Sequence, residues 1–484
     1  MLTSDVVVAR CANLPDALSQ SVANVHLAML SGNEYYEVDD RSTTLKRRVR
    51  GPKSLLPHMS ILCDELLQAY REGIPVTDYS MPKGAAGRKF LCRVVLLYWT
   101  GDYPAQALVS GTHSKMCHWC TMKSVHAPEI NRRCWCDYRR YLPSGHPTRM
   151  DTSYGKIEKR PPPADRTHKQ FVDDATDNIE YRGFKSHAPY KSTGVKELSP
   201  LAALPMFDLV WDVLPDMMHI VPGIWKRHIF AMFCGDRKPT RPRARKSLTP
   251  KENKALQKQY EESLQDLRRW ELTPEKKQLL DRRSMHLGGE TGWIRNNIKV
   301  CTAASTLKAH DWFLLIQSAG HYLLHDIFPA GSAELTCLYM ILDACSLCLN
   351  ATSAADSENR EHIDSVKKEV IEGLCALEAQ LPRTELAVMN HVLLHVPDAI
   401  YRWNAVRNFW NFFGERSNNT FCTHLLLSCL HLLPKLSTPI INVAIALFIV
   451  DIINILYTSV AFLSTFASGT VDTHYKCCPY VLHC

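Results

Sequence analysis

The chain has 484 residues, of which 46% are hydrophobic and 22% are charged, and its formal net charge is +8 with the 21 histidines neutral. This composition excludes a wholly disordered chain, because enough apolar surface is available to build a core. At about 150 residues per domain, the length predicts two to four domains. The mildly positive charge is compatible with a polyanionic partner but does not require one.

The 18 cysteines raise the question of a disulfide-rich secreted protein. The first 20 residues lack a basic segment followed by an apolar core, so they do not indicate a signal peptide. The cysteines are also spread along a long chain instead of being concentrated in a short scaffold. We therefore expect a reducing compartment in which a few thiols bind metal.

Two elements are predicted early in the chain. Residues 54–74 carry leucine and isoleucine at helical spacing and end near Gly73, which predicts an amphipathic helix. Residues 90–99, FLCRVVLLYW, are an uninterrupted apolar run that predicts a buried central strand. Asp102 would then lie just beyond the C-terminal end of that strand, where open α/β sheets place their ligands.

The middle of the chain alternates between polar and apolar stretches. Residues 121–200 are rich in Pro, Arg, His and Asp, which predicts a loop-dominated insertion with little core of its own. Farther along, Asp216 and His219 are one helical turn apart, so both should point from one helix face. A basic linker at 236–247 leads into a charged helix with a capping sequence, and several amphipathic helices are predicted in residues 300–400.

The last part of the chain has few charges. Residues 439–467 are apolar over a length that could span a bilayer, at about 20 residues per crossing. Asp451 at the centre of this stretch opposes a membrane span, because an intramembrane aspartate costs about 2.5–3.5 kcal/mol. We favour a divergent tail, from a degenerate element or a misread gene boundary, and keep a membrane anchor as the alternative.

Two motifs carry candidate chemistry. Metal-dependent phosphoryl transfer on DNA needs two or three carboxylates around a pair of Mg²⁺ ions, and strand-end Asp102 has a suitable position. An isolated aspartate there is more often a turn residue or a helix N-cap. Cys117 and Cys120 have the spacing of a zinc half-site, which Cys134 and Cys136 could complete.

The alternatives at the CxxC stay open. Three nearby histidines are other candidate ligands: His113, His118 and His126. The pair could also arise by chance in a cysteine-rich chain. A redox function is less favoured, because no thioredoxin-like βαβ pattern surrounds the motif.

Residues 90–120, with a carboxylate after an apolar strand and a CxxC after that, resemble the core of the CACTA (En/Spm-type) transposase family. The motif Asp216-Met-Met-His219 resembles the DxxH signature of that group. Other blocks resemble the family in the same order along the chain: 13–30, 51–76, 138–149, 194–219, 305–317 and 381–403. The resemblance covers roughly residues 10–416 and rests on the order of the blocks.

The resemblance implies an α/β RNase H-like core, partial here, with a large α-helical C-terminal region. It implies four regions: 1–235 as the core with a CxxC-bearing insertion at about 113–200, 236–300 as a basic linker and charged helix, 301–416 as a helical domain, and 417–484 as a divergent hydrophobic tail.

The resemblance also assigns roles to residues. Asp102 matches the second catalytic carboxylate, Asp216 and His219 the DxxH motif, and Cys117 and Cys120 the CxxC. Glu415 is the candidate third carboxylate, with Glu378 and Asp311 as alternatives.

The implied function is DNA cleavage and strand transfer by a DDE/D two-metal mechanism, with Mg²⁺ as the catalytic ion and Zn²⁺ as a structural one. The implied partners are transposon-end DNA and further copies of the chain, in the nucleus. The family's first aspartate should precede residues 13–30, where Asp5 is the only acidic residue and stands in a dissimilar context. We therefore expect little or no strand transfer.

Two non-enzymatic hypotheses compete with this one: a protein tethered to membranes through 439–467, and a zinc-stabilised interaction module. In the transposase hypothesis, the basic segment 238–246 would contact DNA phosphates. The alternative is that this segment is a solvated linker.

Overall fold

The structure is a computed structural model. It describes residues 5–11, 25–31, 34–36, 48–50, 55–78, 87–113, 115–128, 132–152, 156–180, 193–237, 242, 248–290, 298–352, 357–411 and 477–483. The strands within 5–50 and 477–483 are described by their backbone pairing. The chain divides into two compact units, each assembled from separate stretches: unit 1 from Met1–His113, Thr167–Leu214 and Asn411–Cys484, and unit 2 from Ser114–Arg166 and Pro215–Trp410.

The strands are β1 (Asp5–Cys11), β2 (Val25–Ser31), β3 (Glu34–Tyr36), β4 (Arg48–Arg50), β5 (Ile74–Asp78), β6 (Arg88–Thr100), β7 (Val125–Ala127), β8 (Arg132–Cys134), β9 (Val213–Leu214) and β10 (Cys477–His483). The α-helices are α1 (Leu56–Arg71), α2 (Tyr103–Val109), α3 (Pro147–Met150), α4 (His168–Glu180), α5 (Met217–Ile224), α6 (Ala231–Phe233), α7 (Pro250–Arg269), α8 (Pro274–Glu290), α9 (Ala309–Leu324), α10 (Ala333–Asn350), α11 (Ser357–Gln380), α12 (Val388–Leu393) and α13 (Val396–Trp403).

Unit 1 contains a six-stranded mixed sheet. Its order is β2-β1-β10-β6-β5, and β9 pairs with β6 off this path. β6 is parallel to β10 and β9 and antiparallel to β5. The last pairs between β6 and β9 are Trp99 with Val213 and Thr100 with Leu214. The C-terminal ends of two parallel strands therefore lie side by side.

The predicted central strand at 90–99 is confirmed as part of β6. In the C-terminal half of β6, every second residue lies on one face, and Val94, Leu96 and Tyr98 on that face are each 4% exposed. Trp99 on the other face is fully buried. Both faces are therefore covered where β6 ends. The predicted helix at 54–74 is confirmed as α1, which packs on β6 and ends before Gly73, whose φ of +80° suits glycine.

Unit 2 is mainly helical. The predicted capping box of the charged helix is confirmed, because the Thr249 side chain accepts from the Glu252 amide and the Glu252 carboxylate accepts from the Thr249 amide. The amphipathic helices predicted in residues 300–400 are confirmed by α9, α10 and α11. Gly320 of α9 lies against Leu342 of α10 so closely that a Cβ would collide with it, so glycine sets the separation of these helices.

The helix that begins at Met217 changes its winding. Pro222 lies inside α5, and the chain continues as a π-helical turn, Trp225–Phe230, before α6. A π turn inserts one extra residue into a helix and is often found at functional positions. The turn buries Trp225, and the ring of Phe230 lies 4.9 Å from that of Trp312.

Residues 121–200 are divided between the two units, and Trp135 stacks on His391, outside the segment, so a loop-dominated insertion with little core of its own stays a prediction. Trp135, Tyr138 and Phe171 are buried, and α4 occupies part of the segment. In unit 2 the guanidinium of buried Arg149 donates to the carbonyl oxygens of Glu158, Arg140, Leu142 and Arg160. The Arg149 guanidinium thus supplies hydrogen-bond donors to carbonyl groups that would be paired by backbone amides in a regular helix or sheet. Composition alone does not reveal these hydrogen bonds.

One helix of the described residues, α10, is long and apolar enough to cross a membrane. Its Leu338, Ile341, Leu342 and Cys345 are fully buried within unit 2, as in the core helix of a globular protein. The apolar stretch 439–467, Glu415 and all but Pro242 of the basic segment 238–246 lie outside the described residues.

Candidate metal centre and carboxylates

Four buried side chains of unit 2 form a group that could hold one metal ion. Cys117 and Cys120 come from the CxxC, and His391 and His395 come from the end of α12 and the start of α13. Their ligand atoms all lie within 4.8 Å of one another. The two halves of the group are 271 positions apart between Cys120 and His391.

The spacing of the ligand atoms suits tetrahedral zinc. Sγ of Cys117 lies 3.3 Å from Nε2 of His395, Sγ of Cys120 lies 3.4 Å from Nε2 of His391, and the two Nε2 atoms are 3.3 Å apart. Zinc bonds of about 2.3 Å to sulfur and 2.05 Å to nitrogen give tetrahedral edges of about 3.3–3.8 Å. The donor set and these three distances are therefore compatible with Zn²⁺.

The loop that carries the cysteines is fixed by backbone hydrogen bonds. The amide of Cys117 donates to the carbonyl of Met122 at 3.1 Å, as expected of a tight turn around a CxxC. Arg166 donates from its amide to the carbonyl of Trp119 at 2.9 Å and from Nε to the carbonyl of Cys120 at 3.1 Å. The thiols are thus held in place by the protein itself.

Two tryptophans position the histidines. The ring of Trp135 stacks on His391 with centroids 4.8 Å apart, and the ring of Trp119 lies 5.3 Å from that of His395. The amide of Trp135 donates to the carbonyl of Leu386 at 2.8 Å, just before α12. These contacts tie the cysteine loop to the histidine segment and restrict the orientation of both imidazoles.

The two thiols of the group have opposite pKa shifts. Burial raises the pKa of the Cys117 thiol, which also donates a hydrogen bond to Cys120. Burial opposes the charged form of Cys120, but the hydrogen bond from Cys117 and the proximity of His391 lower its pKa well below the usual range. Burial lowers the pKa of His391. A zinc ion requires both thiols to be deprotonated and the imidazoles to be neutral, so its binding would release the proton that Cys117 holds.

The cysteines predicted to complete the cage lie elsewhere. Cys134 is buried with Ala127 beneath Tyr260, and Cys136 lies near Asp137, Glu378 and the guanidinium of Arg383. Trp135, between the two cysteines, faces the centre instead of their thiols. Among the described residues, the histidines near the CxxC are also outside the group: His113, His118 and His126.

Sequence reasoning missed His391 and His395. Their His-x-x-x-His spacing is a metal-ligand signal, because residues four apart share a helix face. It lies in a block interpreted only as part of a helical domain. Proximity in sequence favoured Cys134 and Cys136 as the partners of the CxxC, whereas the fold brings His391 and His395 to it.

Asp216 and His219 make the contact predicted from their spacing. The carboxylate of Asp216, 2% exposed, accepts from Nδ1 of His219 at 2.6 Å and from the Met218 amide at 3.0 Å. Asp216 is thus the N-cap of α5, and both of its oxygens have a donor.

Asp102 is the N-cap of α2. Its Oδ1 accepts from the Ala105 amide at 2.8 Å, and the side chain is half-buried. Asp102 follows Thr100, the last paired residue of β6, by two positions. Asp216 follows Leu214 of β9 by the same interval. The structure therefore gives Asp102 a capping role at the end of the predicted strand.

Replacing Asp102 by alanine should lower the free energy of unfolding by about 1 kcal/mol, because the Ala105 amide loses its acceptor. Asp102→Asn keeps an acceptor and should retain most of that stability. Urea unfolding of the two variants checks this. An alanine variant as stable as the wild type would contradict the capping role.

The other candidate carboxylates also bind backbone amides. Glu378 accepts from the amides of Asp137 at 2.6 Å and Tyr138 at 2.8 Å. Asp311 accepts from the Lys308 amide at 2.8 Å at the start of α9. Both side chains therefore have structural partners within unit 2.

A buried carboxylate with two basic partners lies just before the segment that contains His391 and His395. Glu385, 1% exposed, accepts from Nδ1 of His228 at 2.7 Å and from the guanidinium of Arg237 at 3.0 Å. Burial alone would raise the pKa of Glu385, but these two partners lower it below the usual value. His228 belongs to the π turn, so this carboxylate connects that turn to the segment that carries the metal ligands.

The part of the chain that contains Asp102 and the CxxC has a counterpart among known families. Residues 40–178 match the transposase family tnp2. The tnp2 match supports a transposase family and includes Asp102, Cys117 and Cys120, whereas His391 and Asp216 lie beyond it. No curated protein and no solved structure matches the chain.

Proposed function

We propose that this chain is a transposase-like protein of the CACTA (En/Spm) type that binds DNA and is held together in unit 2 by zinc. The observation that carries the proposal is the tnp2 match over residues 40–178. The four-ligand group in unit 2 supports the zinc, since Cys₂His₂ sets of this spacing are typical of structural sites. The net charge of +8 is compatible with a DNA partner.

The proposal includes a partial RNase H-like core in unit 1. It is supported by a mixed sheet whose parallel strands β6 and β9 each precede an aspartate by the same interval. The family resemblance assigns Asp102 of unit 1 and Asp216 of unit 2 as Mg²⁺ ligands of a two-metal mechanism. His219 would hold the Asp216 carboxylate in place. Association with further copies and a nuclear location complete the proposal.

We propose further that the chain cleaves DNA poorly or not at all. Two described carboxylates are candidates for Mg²⁺ binding, Asp102 and Asp216. Within the described residues of its own unit, neither aspartate belongs to a group of three or more metal-ligating side chains. Catalytic groups that act as a unit lose most activity when one is absent.

DNA binding is tested by titrating the full chain with a mixed-sequence duplex at several salt concentrations. Binding through phosphate contacts requires the logarithm of the affinity to fall linearly with the logarithm of the salt concentration. Binding that does not depend on salt, or no binding, would contradict the DNA partner.

Cleavage is tested separately with supercoiled plasmid and Mg²⁺ or Mn²⁺. We expect no nicking above that of the Asp102→Ala variant. Robust nicking that this substitution abolishes would refute the inactivity and leave DNA binding intact.

A further inference from the structure

The loop that carries the CxxC also carries a cluster of exposed cations, which we call the basic knuckle: Lys115, Lys123 and Arg133. All three side chains are exposed. Residues 113–136 contain four lysines and arginines against one acidic residue, Glu129, which lies outside the described residues. Among the described residues, no ion pair involves Lys123 or Arg133. The segment is therefore much more basic than the chain as a whole.

Hydrogen bonds of Ser124 hold the residues of the basic knuckle close together. Its amide and Oγ donate to the carbonyl of Lys115 at 3.1 Å and 2.7 Å. The guanidinium of Arg133 donates to the Ser124 carbonyl at 3.0 Å and to its Oγ at 3.1 Å. Lys123 is the preceding residue and is bridged to Met116 in an antiparallel pair. Hydrogen bonds of the folded loop, not sequence adjacency alone, thus place the three residues together.

The metal centre does not offset this positive charge. Two thiolates and two neutral imidazoles around Zn²⁺ have no net charge, so the filled centre would add no negative charge next to the basic knuckle. The tryptophans of the loop, Trp119 and Trp135, are buried and offer no exposed ring on which a base could stack. The surface therefore suits a phosphate backbone better than unpaired bases.

We infer that the basic knuckle contacts the phosphate backbone of duplex DNA. The inference rests on the proposed DNA-binding function and adds the surface responsible, which is distinct from the basic segment 238–246. Zinc holds the loop that displays the three cations, and each cation neutralises one phosphate. This surface contributes affinity that does not depend on base sequence.

The test compares two triple variants of the full chain on a mixed-sequence duplex. One carries Lys115→Gln, Lys123→Gln and Arg133→Gln, and the control changes the same charges at exposed Lys299, Lys254 and Arg282 of unit 2. The slope of log affinity against log salt should fall by about 2–3 for the basic-knuckle variant, at roughly 0.9 per phosphate contact. The control should keep the wild-type slope. Zinc content and circular dichroism verify that each variant is folded.

The outcomes separate this inference from the proposed function. If the wild type binds with the expected salt dependence and the basic-knuckle variant keeps its slope, the inference fails and the proposed function stands. Equal losses in both triple variants would also refute it, because any surface charge would then suffice. If the wild type shows no salt-dependent binding, both fail. Should the triple variant lose its zinc, the single variants replace it, each expected to lower the slope by about 0.9.

Discussion

Replacing His391 by alanine is expected to weaken zinc binding by more than about 100-fold, since even outer-shell substitutions cost 10–100-fold. The loss should also destabilise unit 2, because a zinc ion held by the four side chains would connect the cysteine loop to the α12–α13 segment. In metal-dependent folds the free energy of metal binding is part of the free energy of folding. Zinc stoichiometry by elemental analysis and thermal unfolding with and without chelator measure the two effects.

His118→Ala is the matched control. His118 is also buried and directly follows Cys117, yet it does not belong to the four-ligand group. Its variant should retain one zinc per chain even if it loses some stability. A His391→Ala protein that binds zinc like the wild type, or a His118→Ala protein that loses zinc equally, would exclude the proposed ligand set.

Acid should release the metal from the wild type. The thiols and imidazoles must be deprotonated to bind zinc, so affinity decreases as the pH falls and protons compete for the ligands. Chelator competition at successive pH values measures this dependence.

Replacing Glu385 by glutamine is expected to lower the free energy of unfolding by about 3–5 kcal/mol, the range for removing one partner of a buried ion pair. His228 and Arg237 would each lose a charged acceptor in a buried environment. Glu262→Gln is the matched control, because Glu262 is 60% exposed and its ion pair with Lys258 is at the surface. The control should cost less than about 1 kcal/mol in urea unfolding.

The pH dependence of the Glu385 contribution follows from the direction of its pKa shift. A carboxyl group whose pKa is lowered in the folded state stabilises the fold above its unfolded pKa of about 4.3. That contribution is lost as the pH falls through the lower, folded pKa. The stability difference between wild type and Glu385→Gln should therefore shrink below about pH 4. A difference that grows in acid would contradict the assigned ionisation.

The sequence predicted local features well. Periodicity located α1 and β6, and capping residues located the start of α7, because these depend on neighbouring residues. The Asp216–His219 contact also followed from helical spacing. Each of these features involves residues within one turn or one strand of each other.

Long-range features could not be predicted in the same way. The partners of Cys117 and Cys120 lie beyond residue 390, and only the fold brings them together. Buried Arg149 donates to the carbonyl groups of Arg140 and Leu142, and composition alone does not reveal these hydrogen bonds. Fold class and third carboxylate remain predictions from the family resemblance.

The separation of the ligand pairs has a consequence during translation. The ribosome adds about 5–20 residues per second, so roughly 15–50 s pass between synthesis of Cys120 and that of His391, 271 positions later. Throughout this interval the two thiols are on a nascent chain that lacks half of its coordination sphere. The thiols must avoid oxidation and binding of other metals until the imidazoles emerge. The yield of correctly folded protein should therefore depend on the thiol reductants and free zinc of the cell that makes it.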